Sequence, residues 1–251
     1  MSIRTRIDIN CDLGEGIGNE ADLMPFISSC NLACGGHAGD EVTIDNVVKL
    51  AKHNAVGVGA HPSFPDRANF GRGELKIPFY QLESSLKEQI DRVKKACQIH
   101  NIEMHHIKAH GALYNLCASD AIYAEFFIDF IARFYPDIPV YVPFNSILSQ
   151  RAQGKIKLLF EAFADRNYEA DGSLVSRTKP HALIKDEKTL VKHVLGMVEN
   201  NEIHTVSGTV LNAKIDTICV HGDTPKAVNL VCNLKQQLEK NNLKIETVFC
   251  K

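Results

Sequence analysis

Near the N-terminus Asp8, Asn10 and Asp12 alternate with Ile7 and Ile9. Successive side chains of a strand point to opposite faces, so the three polar groups share one side and the isoleucines the other. The pattern recurs along the chain: His106, Lys108 and His110 share a face, as do Thr217, Cys219, His221 and Asp223. Gly57, Gly59 and His61 share another, and the glycines leave room beneath the imidazole. A parallel sheet covered by helices is apolar on both faces, so these polar sides must line a wet cavity. Carboxylates, imidazoles and an amine gathered there are the groups that move protons, steady anionic charge or hold a divalent ion.

The segments that leave these runs carry the same chemistry. They read Asp12-Leu13-Gly14-Glu15-Gly16, Gly35-Gly36-His37-Ala38-Gly39-Asp40, His61-Pro62-Ser63, His110-Gly111-Ala112-Leu113-Tyr114-Asn115 and His221-Gly222-Asp223. Each joins an ionisable residue to Gly or Pro, which suits a backbone brought close to a ligand. One such His would more often be a hydrogen-bonded structural residue. The recurrence at the C-terminal ends of several strands, where α/β folds hold their ligands, points instead to one shared site. His53, His100, His193 and His204 fall in or beside helical stretches and are expected to do no chemistry, and His105, opposite in parity to His106, is expected to pack under a helix.

The elements that must position these groups alternate regularly. Residues 6–10, 29–34, 56–60, 104–109, 140–144, 158–164 and 217–220 read as strands, and 40–53, 78–101, 119–135, 186–200 and 224–241 as amphipathic helices. Asp40, Ser119 and Asp186 are placed to cap helix N-termini, with Pro225 following a Thr224 cap. Leu86, Ile90, Val93 and Ala96 form one apolar stripe, and Phe126, Phe127, Phe130 and Phe134 belong to the core. Residues 202–215, with Ser207-Gly208 at the middle, read as an inserted hairpin. Strand and helix repeated about seven times imply an α/β fold with parallel strands, as a barrel or a doubly wound sheet. No linker or repeat divides the chain, so a single domain over residues 1–251 is expected.

Composition narrows the function classes. Lys and Arg total 28 against 30 Asp and Glu, and the formal charge of -2 leaves no excess to hold nucleic acid or an anionic membrane. A hydrophobic fraction of 45% with no apolar run near the ~20 residues of a membrane span describes a folded, non-membrane chain. The eight cysteines lack a Cys-x-x-Cys pair. The first residues lack the apolar core of a signal peptide, so a cytoplasmic setting with reduced thiols is expected. Cys30, Cys34 and Cys219 read as small buried hydrophobes.

The segments Asp8-Ile9-Asn10-Cys11-Asp12-Leu13-Gly14-Glu15, Ala33-Cys34-Gly35-Gly36-His37-Ala38-Gly39-Asp40, Gly59-Ala60-His61-Pro62, Lys108-Ala109-His110-Gly111-Ala112-Leu113-Tyr114-Asn115, Phe163-Ala164-Asp165-Arg166 and Cys219-Val220-His221-Gly222-Asp223-Thr224 resemble the LamB/YcsF family. The resemblance runs from the first strand to the last helix. It implies a TIM-like (βα) barrel of about seven strands, similar to polysaccharide-deacetylase barrels. It also implies hydrolysis of 5-oxoproline to L-glutamate coupled to ATP cleavage, with two companion subunits. Departures from the family pattern flank the ionisable groups: Gly36 stands for Phe, Ser63 for Gly, Ala109 for Pro and Gly16 for Ser.

A five-membered lactam is a stable amide, and phosphoryl transfer from ATP to its oxygen would activate it. Under the resemblance, Asp12, Glu15, His37, His61, Lys108 and His110 are the expected catalytic residues. Lys108 and the backbone of residues 35–39 would steady phosphate, Asp12 and Glu15 would direct a water or hold a divalent ion, and His61 and His110 would move protons. Asp8, Asn10, Asn31, Gly35, Gly36, Gly39, Asp40, Arg72, Tyr114, Asn115, Asp165, His221 and Asp223 are the expected substrate- or phosphate-binding set. Magnesium would enter with ATP, and no tightly held transition metal is expected. The chain has no G-x-x-x-x-G-K-[ST] run, so ATP rests on the resemblance alone. Two other readings remain: a metal-dependent deacetylase using Asp12, His37, His61 and His110, and a non-catalytic subunit that presents a small carboxylate to its partners.

Overall fold

The computed structural model describes residues 4–222 and 226–248. In chain order its elements are β1 (Arg6–Leu13), α1 (Glu20–Leu23), β2 (Ser29–Ala33), α2 (Glu41–Asn54), β3 (Gly57–His61), α3 (Phe79–Ile99), β4 (Met104–Ile107), α4 (Gly111–Ser119) and α5 (Ala121–Phe134). There follow β5 (Val140–Pro143), α6 (Ile147–Ala152), β6 (Leu158–Phe163), α7 (Glu187–Glu199), β7 (Glu202–His204), β8 (Val210–Asn212), β9 (Thr217–Cys219), α8 (Ala227–Lys240) and β10 (Lys244–Ile245). Strands β1 to β6 pair in sequence order, and β9 pairs with both β6 and β1, closing a barrel of seven parallel strands. The expected barrel is therefore present, and β10 adds a short parallel pairing to the start of β1.

The barrel closes because each strand has two buried faces of different character. Ile7, Ile9, Cys11 and Leu13 of β1 are at most 2% exposed and belong to the apolar shell between barrel and helices. On α3, Leu86, Ile90, Val93 and Ala96 are all buried, each large aliphatic side chain contributing about 1.5–3 kcal/mol. The alternate positions point inward and fill the barrel with polar side chains. Asp40 and Asp186 cap α2 and α7 as their sequence positions require, accepting from Thr43 N and Thr189 N at 2.8 Å each.

Besides the short elements α1, α6 and β10, three features differ from the sequence reading. A separate helix, α4, occupies residues read as a loop, because Gly111 adopts φ +57° and lets the chain turn from the end of β4 directly into a helix. A Cβ at Gly111 would press on the Gly71 backbone, whose carbonyl accepts from Ala112 N at 2.9 Å. The cap of α5 is accordingly Asp120, accepting from Ile122 N at 2.8 Å, while Ser119 donates back to Asn115 O. His105 is the third. Met104 pairs with Val58 and His106 with Gly59, so His105 is the extra residue of a β-bulge. Its side chain lies against Gly57 and within hydrogen-bonding distance of His106, inside the barrel rather than under a helix. The hairpin forms as β7 and β8. The expected Thr224 cap lies outside the described residues.

Candidate active site

The barrel interior is a stack of polar layers, and in its lower half hydrogen bonds converge on Asp8. Asp8 accepts from Ser28 Oγ at 2.6 Å, Ser29 Oγ at 2.8 Å, Thr217 Oγ1 at 2.5 Å and Tyr141 OH at 3.0 Å. Above it Asn10 donates to Thr217 Oγ1 at 2.7 Å and Glu161 Oε1 at 3.0 Å, and its own carbonyl accepts from Asn31 at 2.7 Å. His106 Nε2 meets Asn31 Oδ1 at 2.7 Å, and its ring occupies the space that the missing Cβ of Gly59 leaves. A single cation crosses the next layer. Lys108 Nζ lies 2.9 Å from Glu161, 3.2 Å from Asp12 and 3.2 Å from Cys219 Sγ.

That cation sets the state of Asp12. Burial acts to raise the Asp12 carboxyl, but Lys108 and then His61 outweigh it and hold it well below the ordinary carboxylate range. Burial likewise acts to lower the Lys108 amine, and Asp12, Cys219 and Glu161 together keep it charged. Asp12 is thus a fixed carboxylate at the boundary between the paired interior and the mouth.

At the mouth, on the C-terminal side of the strands, three imidazoles and Glu15 meet. His37 and His110 stack with ring centroids 3.6 Å apart, and His37 Nε2 lies 3.2 Å from Glu15 Oε1. His61 Nδ1 is 2.8 Å from the Lys108 carbonyl, and His110 Nε2 is 2.9 Å from the Phe70 carbonyl. Carbonyl oxygens only accept, so each of these two nitrogens carries an N–H. With both rings neutral, the remaining nitrogens, His61 Nε2 and His110 Nδ1, present lone pairs to each other across 3.0 Å. Burial, and next the neighbouring His61, lowers His37 and His110 to about 3, so both are neutral at pH 7. His61 Nε2 also lies 3.5 Å from Asp12 Oδ2, and His110 Nδ1 lies 3.6 Å from Glu15 Oε1.

Of the residues expected from sequence, Asp12, Glu15, His37, His61, Lys108 and His110 come together, and Asp8, Asn10, Asn31 and Tyr114 lie in the layers beneath. Tyr114 OH donates to Glu161 Oε2 at 2.7 Å. Asp165 and His221 form a separate ion pair at 2.8 Å, with Arg177 2.9 Å from the other His221 nitrogen. Asp165 outweighs burial and raises His221. Asp40 is an exposed helix cap, Asn115 is exposed, and Arg72 is exposed with its guanidinium 5.1 Å from the Phe70 ring centroid, so the structure does not bring these three into the network. In the loop after β2 the Gly35 N–H is used within the loop, donating to Ala38 O at 2.7 Å. Asp223 lies outside the described residues.

Glu161, Phe70 and Gln89 were not expected at the site, and Cys219 was expected only as a buried hydrophobe on the inward face. Glu161, 1% exposed, is a lone carboxylate in an apolar strand, and that isolation was its signal. Cys219 faces Lys108, as its parity with Thr217 requires, rather than serving only as an apolar filler. Phe70, at φ +55°, aims its carbonyl at His110 and its ring edge at His37, and nothing local in the sequence announces that conformation. Gln89 of α3 clamps Ser63 through N–H and carbonyl at 3.0 and 2.9 Å. A Cβ at Gly36 would collide with Gln89 and Ser63.

The family model described as the LamB/YcsF family matches residues 7–250. The chain belongs to the LamB/YcsF family. Within it, a Clostridium beijerinckii chain named as a 5-oxoprolinase subunit is 40% identical over 246 residues, covering 96% of each chain. A Pyrococcus horikoshii chain carrying the same name is 37% identical, again over 96% of each. The crystal structure of the lactam utilization protein from Thermus thermophilus superposes with a TM-score of 0.90 at 30% identity, covering 96% of this chain and 99% of that one. The family barrel is thus present from end to end, with its ionisable residues gathered at one mouth. Among the described residues no helix is long and apolar enough to cross a membrane.

Proposed function

We propose that this chain is the barrel component of an ATP-dependent 5-oxoprolinase, opening the lactam of 5-oxoproline to L-glutamate with cleavage of ATP to ADP and phosphate. The observation that carries the reading is the end-to-end match to chains named as 5-oxoprolinase subunits. The site is suited to such chemistry. Transfer of the γ-phosphoryl group to the lactam oxygen converts a poor electrophile into an activated one. A water then adds to the ring carbon, and the C–N bond breaks as the nitrogen gains a proton. A second water releases phosphate from the acyl phosphate. Asp12, kept ionised by Lys108, is the group able to take the proton of the first water and return it to the departing nitrogen. Lys108 acts through Asp12 and Glu161 rather than on phosphate directly, since its ammonium is enclosed by those two carboxylates, Cys219 and Asn10.

Magnesium enters with ATP in this reading, and two companion subunits complete the enzyme, because no nucleotide-binding loop is evident in this chain. The test is glutamate release from 5-oxoproline and ATP, measured with this chain alone and with the products of the genes beside its own. Little release alone and robust ATP-dependent release from the assembly is the expected pattern. Full turnover by the isolated chain, or none from any assembly, would oppose the proposal.

A further inference from the structure

We propose that His61 Nε2, His110 Nδ1, Glu15 Oε1 and a nitrogen of His37 form a binding site for one divalent first-row transition ion at the barrel mouth. The inference does not rest on the lactam reading, and it runs against the expectation that no transition metal is held tightly.

The facing nitrogens of His61 and His110 lie 3.0 Å apart while the N–H of each ring is turned away to a carbonyl, so neither ring has that N–H to offer the other. The carbonyls of Lys108 and Phe70 enforce that arrangement by taking the N–H of each ring, at 2.8 and 2.9 Å. This is the outer-shell device by which metal-binding histidines are oriented and their tautomers fixed. The spacings agree with a shared ion. A tetrahedral metal with ligands at about 2.0–2.1 Å sets neighbouring donor atoms roughly 3.3 Å apart. Here the separations are 3.0 Å between the two histidine nitrogens, 3.6 Å from His110 Nδ1 to Glu15 Oε1 and 3.2 Å from His37 Nε2 to Glu15 Oε1. All four residues offer ligand atoms within 4.8 Å of one another. His37 is buried, its Nε2 faces the Glu15 carboxylate and its Nδ1 has no hydrogen-bond partner, so an ion placed between Nε2 and the carboxylate would leave the ring proton on Nδ1.

The donor set selects the ion. Three imidazoles and one carboxylate favour zinc or cobalt over magnesium and calcium, which prefer all-oxygen shells. Asp12 Oδ2, 3.5 Å from His61 Nε2, stands beside the site as a carboxylate to orient a water on the ion.

The test uses the full chain stripped with a chelator, then titrated with Zn²⁺ and Co²⁺ by calorimetry, with Mg²⁺ as the comparison ion. Co²⁺ absorption and the thermal shift are followed in parallel. The expected result is one equivalent per chain, a cobalt spectrum of a low-coordinate nitrogen and oxygen site, a rise in melting temperature, and at least 100-fold weaker Mg²⁺ binding. His61→Asn and His110→Asn should each weaken Zn²⁺ by 100-fold or more. Glu15→Gln, on a loop and easier to tolerate, should weaken it by 10-fold or more, and His100→Asn, paired with Asp45 on the outer surface, should leave it unchanged. Absence of stoichiometric binding by the unaltered chain, or undiminished binding by a folded His110→Asn or Glu15→Gln variant, overturns the proposal. The two imidazoles then share a proton instead.

Discussion

The lower and upper halves of the barrel interior are both lined by polar side chains and solve opposite problems. Around Asp8 four hydroxyls converge on one carboxylate, and each serves as a donor to it. Around His61 and His110 the ring N–H groups are drawn outward by backbone carbonyls, leaving acceptors to face one another. A saturated polar cluster stabilises a fold but offers nothing to a ligand, whereas a set of aligned acceptors is costly until something electropositive joins it. Burial alone therefore does not distinguish structural from functional polar residues. The direction in which their protons point does.

Lys108 lies between the halves, and breaking it should have the largest effect. Lys108→Met leaves Asp12 and Glu161 buried without their counter-ion, and should cost about 3–5 kcal/mol in a denaturant melt besides lowering turnover by about 100-fold or more. A near-normal melting temperature would mean that the carboxylates are not held by this amine. Asp8→Ala should cost about 2–4 kcal/mol by orphaning the hydroxyls around it, while turnover per folded molecule in the assembled enzyme stays within about twofold.

A third way to sharpen the contrast is pH. His37 and His110 are neutral in the fold and lowered to about 3 by burial first, whereas an unfolded His titrates near 6.5. Between those values the unfolded chain binds more protons, so stability must fall as pH falls through this window and recover above about 6.5. Each group contributes on the order of 1.4 kcal/mol per pH unit, and His37→Asn should remove its share of that slope in the chelator-treated chain. A stability curve flat from pH 6.5 to 4.5 would contradict neutral, buried rings. The smallest effect belongs to His105→Ala, which loses a contact with His106 at the lower end and should cost about 1 kcal/mol with turnover retained.

Much of this was legible in the sequence, for a physical reason. Period-two alternation is local, so the inward face of β1 and β9 followed from Asp8, Asn10, Thr217 and Cys219 alone. The bulge at His105 was not legible, because it arises from the pairing of β4 with β3 and breaks the alternation at one residue. The cap at Asp120 was displaced by the early turn at Gly111, which depends on a loop far upstream in the chain, at Gly71. Glu161 and Phe70 reach the site through closure of the barrel and a left-handed loop residue, neither of which a single segment encodes. The convergence of Glu15, His37, His61 and His110 was read from recurrence, but their proton directions required the backbone carbonyls around them.

The most direct test of functional division between the two halves is glutamate release per folded chain by the assembled enzyme carrying either His110→Asn or Asp8→Ala. A loss of about 100-fold or more is expected for His110→Asn with stability nearly kept, and near-normal turnover for the destabilised Asp8→Ala. Normal turnover with His110→Asn, or abolished turnover in a folded Asp8→Ala chain, would contradict that division.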